Sequence, residues 1–418
     1  MWVWCEKGEA IDAAKAVAKQ LIDIGRQQLS NDQSRASSLI KHGIKSHDLQ
    51  RIEAMLKLAA SEPGMTVTIN ELDSNPWLLG VRNGVVDLRT GELLANDPLM
   101  LITRMCNASH DRTATCPRWL TFLDQVFDGD LDTIDTLQRA LGYTLTGFTS
   151  EEVLFICFGH GSNGKSVFNN VVANILGSYG RVAPASLLTL RRNGDSSPRN
   201  DLAALAGARY VSINELQSGD RLDEQVVKLL AGREMISARF LHKEFFDFMP
   251  TFSPWLRTNH KPVITGDDDG IWRRLILIPF RQQFSGQAKD PHLEHKLMEE
   301  RDGILGWMVD GAVKWQRDGL NLSLTIRSEG ASYRKDSDLL GEFVGEVCIT
   351  DPNESVLQAD LYGQYRAWAQ VNGIVPIAKA SFTRRLAERG HPERKSNGQR
   401  FYCGLKIRHL LPPPQLLF

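Results

Sequence analysis

The stretch "GHGSNGKS", residues 159 to 166, sets Gly159, Gly164, Lys165 and Ser166 at the spacing G-x-x-x-x-G-K-[ST]. Glycines at such places let backbone N–H groups close around phosphate oxygens. The lysine reaches the β- and γ-phosphates, and the serine hydroxyl can hold Mg²⁺. Eight residues match by chance often enough that the flanks must decide. "EVLFICFG" before them is an apolar run suited to a buried parallel strand. "SVFNNVVANILG" after them has helical spacing stopped at Gly177. Strand, glycine turn and helix together aim a helix N-terminus at anions. The segment is therefore expected to bind a nucleoside triphosphate, ATP with Mg²⁺, through Gly159, His160, Gly161, Ser162, Asn163, Gly164, Lys165 and Ser166.

Downstream, "ARYVSINELQ" reads as a short strand, Tyr210 to Ile213, followed by Glu215. A carboxylate there can polarise the attacking water and help hold the metal; a surface Glu after a strand is the plainer reading. Asn214 stands where many phosphate-loop ATPases place a metal-holding Asp, and an amide brings no charge. "ISARF" and "FFDFMPTF" read as two strands joined at "LHKE", so His242 and Lys243 project from a hairpin tip, suited to phosphate contacts or simply an ordinary polar turn. "FSPWLRTNHKP" is a further strand ending at Asn259, whose amide could read the γ-phosphate. "DDDGIWRRLILIPF" sets Arg273 and Arg274 before an apolar strand. There they suit arginine fingers reaching a neighbouring subunit's site, or surface pairing with Asp267 to Asp269.

The elements that must position these groups fill a chain of 418 residues, long enough for two or three domains. A hydrophobic share of 42% and a charged share of 24% are those of a soluble globular protein, and no stretch reaches the roughly 20 apolar residues of a membrane span. No secretory signal is visible, and the six cysteines are scattered with no C-x-x-C pair, which fits a reducing cytoplasm without structural zinc. Residues 10 to 29 and 46 to 60 have helical spacing, residues 77 to 97 read as short strands joined at Asn83-Gly84 and Thr90-Gly91, and helices resume at Pro117. Strand-like and helical runs alternate between Val153 and Phe280, the pattern of an α/β domain, interrupted by the polar loop 191 to 201. "YRKDSD" and "TDPNES" read as linkers, and "LPPPQLLF" as a disordered tail.

Net charge is −1, but residues 361 to 409 hold ten Lys or Arg against two Glu, a formal +8 against −9 for the rest. Within them "DLYGQYRAWAQVNG" and "KASFTRRLAERG" read as helices and "RKSNGQRFYCGLKI" as a hairpin turned at Asn397-Gly398. Helix, basic helix and β-wing is a DNA-docking layout with Arg384 and Arg385 on the candidate recognition helix; a solvated basic face or a protein-docking module fits the same residues.

In their order, "GHGSNGKSVF", "YVSINEL", "KLLAGRE", "SARFLHKEFFDFMPTFSPWLRTNHKP" and "GIWRRLILIPF" resemble the superfamily 3 helicases, specifically the C-terminal helicase part of phage and plasmid primase-helicases, with the poxvirus primase-helicase a more distant relative. The likeness runs from about residue 70 to 409. It implies an AAA+-like phosphate-loop core at 118–330, an α+β accessory domain at 1–117 and a winged helix at 340–418. It implies further that Lys165, Glu215, Asn259, Arg273 and Arg274 serve catalysis, Ser166 and Glu215 the metal, and His242, Lys243, Arg384 and Arg385 DNA. The activity implied is ATP-dependent unwinding in mobile-element replication by a homo-hexameric ring, on single-stranded and duplex DNA, in the cytoplasm of a bacterial host. Residues 1 to 60 lack a paired-carboxylate polymerase motif, so priming is expected from a separate primase. Three other classes stay open: an ATP- and DNA-binding remnant without unwinding, an origin-binding regulatory protein, and a small-substrate phosphotransferase.

Overall fold

The computed structural model describes residues 8–62, 64, 66–189, 200–217, 220–264, 269–286, 289–372 and 376–408. Most of the polar loop 191 to 201, the tail "LPPPQLLF", Asp267 and Asp268 lie outside the described residues.

The chain begins with three helices packed on one another, α1 (Glu9–Gln28), α2 (Gln33–Ser46) and α3 (Leu49–Ala59). Sequence reading misses α2, because its stretch is polar and it buries only Ala36 and Gly43. It forms because Asp32 caps it, accepting from the Arg35 N–H at 2.9 Å. Gly25 and Gly43 let α1 and α2 cross closely: a Cβ on either would meet a carbonyl oxygen of the other helix at 2.9 Å. The expected turns at Asn83-Gly84 and Thr90-Gly91 then fold an antiparallel meander of β1 (Leu78–Val81), β2 (Gly84–Asp87) and β3 (Glu92–Leu94).

Helices α4 (Pro117–Phe127) and α5 (Leu131–Thr146) lead into the central sheet. Its elements are β4 (Leu154–Phe158), α6 (Lys165–Leu176), β5 (Gly180–Ala183), α7 (Asn200–Ala203), β6 (Tyr210–Ile213), α8 (Glu224–Ala231), a hairpin of β7 (Ile236–Ala238) and β8 (Phe246–Phe248), β9 (Ser253–Thr258), α9 (Asp269–Trp272) and β10 (Leu275–Pro279). The five strands lie in the order β10-β4-β9-β6-β5, all parallel. The fold is thus mixed α/β around a parallel five-stranded sheet. β4 is the switch point of that order, and ligands of open α/β sheets bind beyond the carboxyl ends of strands at such a point.

Side chains alternate across the sheet and build two cores. Phe155, Cys157, Tyr210, Trp255, Ile276 and Ile278 face α6, joined by the meander, α4 and α5; Leu154, Ile156, Val211, Ile213, Leu256 and Leu277 face the other way. Three further helices, α10 (Leu293–Glu299), α11 (Arg301–Asp318) and α12 (Leu324–Asp336), close the first core. A third core, starting at Leu340, unites α13 (Leu339–Val347), β11 (Cys348–Leu357), α14 (Gln358–Val371), α15 (Lys379–Glu388) and the second strand of a hairpin of β12 (Glu393–Ser396) and β13 (Gln399–Ile407). Here two expectations are corrected. "YRKDSD" is the end of α12, anchored because Tyr333 is buried and its hydroxyl donates to the Pro262 carbonyl. "TDPNES" is part of β11, which pairs with β13 on both sides of a register shift between Thr350 and Ser355.

α5 and α11 touch through glycine. A Cβ on Gly311 would lie 2.1 Å from the Gln138 carbonyl oxygen, and one on Gly142 would lie 2.0 Å from the Ala312 nitrogen. Gly311→Ala should therefore lower the unfolding free energy by about 1–3 kcal/mol, as overpacking does. Gly330→Ala, which meets nothing within 4 Å in α12, should leave it level or slightly raised. Equal denaturation midpoints for the two variants would contradict the contact.

Candidate nucleotide-binding site

At the end of β4 the chain turns at Gly159 (φ 148°), where a Cβ would lie 2.1 Å from the Phe280 carbonyl oxygen. At Gly164 (φ 87°) a Cβ would press on Phe122 and Val126 of α4 at 3.0 Å. Only glycine passes both places. Asn163 Nδ2 donates to that same Phe280 carbonyl at 2.9 Å, and the Phe284 N–H donates to the Ser162 carbonyl at 2.8 Å. The loop is thus clamped between α4 and the end of β10, while His160, Gly161 and Ser162 face solvent.

α5, α8 and α12 begin at Asp130, Asp223 and Ser323, whose side chains accept from the first N–H groups. α6 begins at Gly164, which brings no side chain to do so. The Lys165 N–H donates to Asn163 Oδ1 at 3.5 Å, and the next N–H groups lie at the positive end of a twelve-residue helix, where an anion can sit. Lys165 is 6% exposed, and its Nζ donates to Asn163 Oδ1 at 2.9 Å, to Asn259 Oδ1 at 3.1 Å and to the Gly159 carbonyl. Burial pulls its pKa below the ordinary lysine value, against the pull of the Glu215 carboxylate and the Cys157 thiol. Three neutral oxygens around a half-desolvated ammonium are what phosphate oxygens would replace, with a charge-assisted bond in exchange.

Asn259 follows β9, in register to meet Lys165 across the neighbouring strand β4. Glu215 follows β6 and is exposed on the same edge, and Ser166 is exposed at the second residue of α6. A hydroxyl and a carboxylate are oxygen donors of the kind Mg²⁺ takes; among the described residues no group of three His, Cys, Asp or Glu could hold a metal unaided. Asn214 Oδ1 accepts from Arg257 Nη2 at 2.8 Å. A carboxylate at position 214 would meet this guanidinium first. Arg257 escapes sequence reading because nothing in "FSPWLRTNHKP" marks it apart from an ordinary strand residue.

Arg273 and Arg274 stand at the other end of β10. A five-residue strand spans about 16 Å, so neither reaches the loop of its own chain. They also differ from each other. Arg274 is tied down, donating to Glu152 at 2.5 Å and to the Gly270 carbonyl at 2.8 Å. Arg273 is exposed and lines a groove with Trp272, Ile326 and Arg327. Asp269 pairs with Arg334. His242 and Lys243 are exposed at the tip between β7 and β8, on the second core's side of the sheet. In α15, Arg384 is exposed with Glu388 at 3.8 Å, and Arg385 is half-buried. These C-terminal cations belong to the third core's module and not to the loop site.

Replacing Lys165 by Ala should remove nucleotide binding and hydrolysis together. If Glu215 polarises the attacking water, Glu215→Gln should keep binding within about threefold and lose turnover by about 10²-fold or more. Equilibrium binding of a fluorescent ATP analogue beside phosphate release separates the two, and parental turnover in Glu215→Gln would remove Glu215 from the site.

Family models match both ends of the chain: "D5 N terminal like" over residues 1–128 and "Poxvirus D5 protein-like" over residues 335–396. A helicase-named protein of Acanthamoeba polyphaga mimivirus is 27% identical over 358 residues, covering 80% of this chain and 37% of its own length. A primase-named protein of African swine fever virus is 25% identical over 329 residues, covering 73% and 34%. This chain therefore spans about a third of these relatives. The apo C-terminal region of NrS-1 superposes with a TM-score of 0.45 at 13% identity, over 85% of this chain and 90% of that one. The viral relatives infect eukaryotes, so the expected bacterial host has no support among them. No helix among the described residues is long and apolar enough to cross a membrane. The chain is thus matched at each end by a D5 model and over most of its length by helicase- and primase-named proteins of large DNA viruses.

Proposed function

We propose that this chain is an ATP-driven DNA helicase motor of the superfamily 3 kind, working in replication as a ring with nucleotide bound between subunits. The observation that carries the reading is Lys165, held between Asn163 and Asn259 with Glu215 within electrostatic reach, at the mouth of an uncapped helix. In this reading ATP bound with Mg²⁺ would supply the phosphoryl group, whose transfer needs positioning and charge neutralisation more than covalent help. The loop N–H groups and Lys165 bind the β- and γ-phosphates, and Ser166 and Glu215 orient the metal. Asn259 orients the γ-phosphate, and Glu215 takes up hydrogen bonding to the water.

The ring is supported by distance. Arg273 is too far from its own loop to neutralise charge there, and it is exposed with no ion pair among the described residues. A neighbouring subunit's loop is the place where such an arginine serves catalysis. Arg274, paired to Glu152, fits the lesser role of fixing the turn that presents Arg273. The all-parallel sheet supports the AAA+-like core, and helix, basic helix and hairpin in the third core support a winged helix that docks duplex DNA through Arg384 and Arg385. A second reading, a motor that binds ATP but turns over slowly, is favoured by one observation: Asn214 faces Arg257 where a metal-holding carboxylate would stand.

Mixing two inactive proteins tests the shared site. Lys165→Ala keeps its arginine but loses its loop; Arg273→Ala keeps its loop but loses the finger. Mixed rings contain interfaces that pair an intact loop with an intact arginine. Fingers contribute about 10³ to 10⁵ in turnover, so a minority of such interfaces should restore measurable ATPase. With subunit exchange verified by labelling, no recovery at any ratio would rule out the shared site.

A further inference from the structure

Arg257 is the one charged side chain of β9, and its surroundings do not neutralise it. Side chains alternate along this strand. Trp255 packs against Phe168 of α6, ring centroids 6.0 Å apart, and Asn259 meets Lys165 at the start of α6. Position 257 lies between them on the same face of the sheet, the face that carries the glycine loop. Across the ladder Ile213 of β6 lies opposite Leu256, so the next pair is Asn214 with Arg257. The two do meet: Arg257 Nη2 donates to Asn214 Oδ1 at 2.8 Å. Tyr210, four residues back on β6, places the charge on this face as well. Its hydroxyl donates to Asn169 of α6 at 2.6 Å; burial raises its pKa, and the Arg257 charge pulls the other way.

The partner is an amide. A guanidinium has five N–H donors and no acceptor, so Asn214 offers its oxygen, and the bond leaves the positive charge in place. Arg257 forms no ion pair among the described residues, and it is half-buried, so part of it stays open. Arg274 and Arg389, also half-buried, are treated differently: each pairs with a carboxylate, Glu152 and Asp338. A partly desolvated cation without a counter-charge is unfavourable, and an arriving anion relieves it. The amide that steers Arg257 is itself anchored, since the Asn214 N–H donates to the Ala183 carbonyl of β5 at 3.0 Å.

We propose that Arg257 is a ligand for the γ-phosphate of a nucleotide bound in its own subunit, and that Asn214 positions it. Asn259, two residues on along the same face, is the group read above as orienting that phosphate. The guanidinium therefore stands at the γ end of the site and not at the loop N–H groups. Lys165 and Arg257 set two positive charges against the one carboxylate of Glu215, a surplus that suits a triphosphate better than a diphosphate. A carboxylate at position 214 would bind the guanidinium as an ion pair and withdraw it from the phosphate. The amide aims it without neutralising it, so Asn214 serves the arginine rather than the metal. The inference rests on the ATP reading above and adds to it a residue and a selectivity. Two lesser roles for Arg257, a brace between β6 and β9 or a support for Glu215, give different results in the test.

The test measures equilibrium binding of AMP-PNP, a triphosphate that resists hydrolysis, and of ADP, each with Mg²⁺, to the full chain. Arg257→Gln, which keeps a donor for Asn214, should weaken AMP-PNP binding about tenfold, the size of one lost charge-assisted bond, and leave ADP within about twofold. Arg257→Lys keeps the charge without the planar fork and should recover part of the difference. Asn214→Asp should also lower the preference for AMP-PNP over ADP, by about threefold, because its carboxylate captures the guanidinium. Equal losses of AMP-PNP and ADP in Arg257→Gln would make Arg257 a brace and overturn the proposal. Parental binding of both nucleotides with turnover alone lost would assign it to Glu215 and overturn the proposal too. So would an Asn214→Asp protein that binds AMP-PNP more tightly and at lower Mg²⁺, which would return position 214 to the metal. Should Arg257→Gln fail to fold, Asn214→Asp carries the same comparison. A parent protein that binds neither nucleotide would overturn the ATP reading itself, an outcome distinct from the others.

Discussion

Lys165 is a buried residue, and a cation there persists only where oxygens replace the hydration it loses. Gly159, Asn163 and Asn259 supply those oxygens, and each has its own support. Asn163 is fixed through its amide to Phe280 at the end of β10, Asn259 by β9, and Gly159 by the end of β4. Three adjacent parallel strands must therefore end at the same level for one lysine to be satisfied. The aromatic packing below them keeps that level. Phe155 stacks on Trp255 at 4.3 Å, Phe168 of α6 meets Phe280 at 5.8 Å, and Trp119 of α4 stacks on Phe168 at 5.8 Å.

α12 links this edge to the rest of the chain. Glu329 pairs with Lys261 at 3.4 Å and with Arg281, residues that follow β9 and β10. One turn further on, Tyr333 fixes Pro262 and packs edge-on against Trp272, beside Arg273. The helix thus holds both the loop edge and the arginine edge of β10. Beyond it, Asp338 caps α13 and pairs with Arg389, which caps the end of α15, so the basic module starts within two residues of α12. Burial raises the pKa of Asp338, but the Arg389 bond and the Gly341 N–H outweigh it and hold the carboxyl below its usual range.

What could be read from the residues alone was the part written in local pattern. The loop at residues 159 to 166 carries its own glycines, and the strands around it are unbroken apolar runs, so β4, α6, β6 and β9 stand where expected. Lys165, Glu215 and Asn259 come together because they end neighbouring strands of one parallel sheet. Pairings between distant, ordinary-looking residues were not legible. Nothing local marks Arg257 as the partner of Asn214, or Glu152 as the group that ties down Arg274 and leaves Arg273 exposed. α2 was hidden by its polar composition, and "TDPNES" by turn-forming residues that β13 overrides through pairing.

The central claim is that nucleotide turnover at Lys165 is coupled to nucleic acid in an assembled ring. The most direct measurement is ATPase rate with and without single-stranded DNA, on protein whose oligomeric state is followed in parallel by light scattering. The account predicts turnover that is low for the monomer, appears with the assembled species and rises severalfold when the strand is added. Full turnover by the monomer, indifferent to DNA, would contradict it.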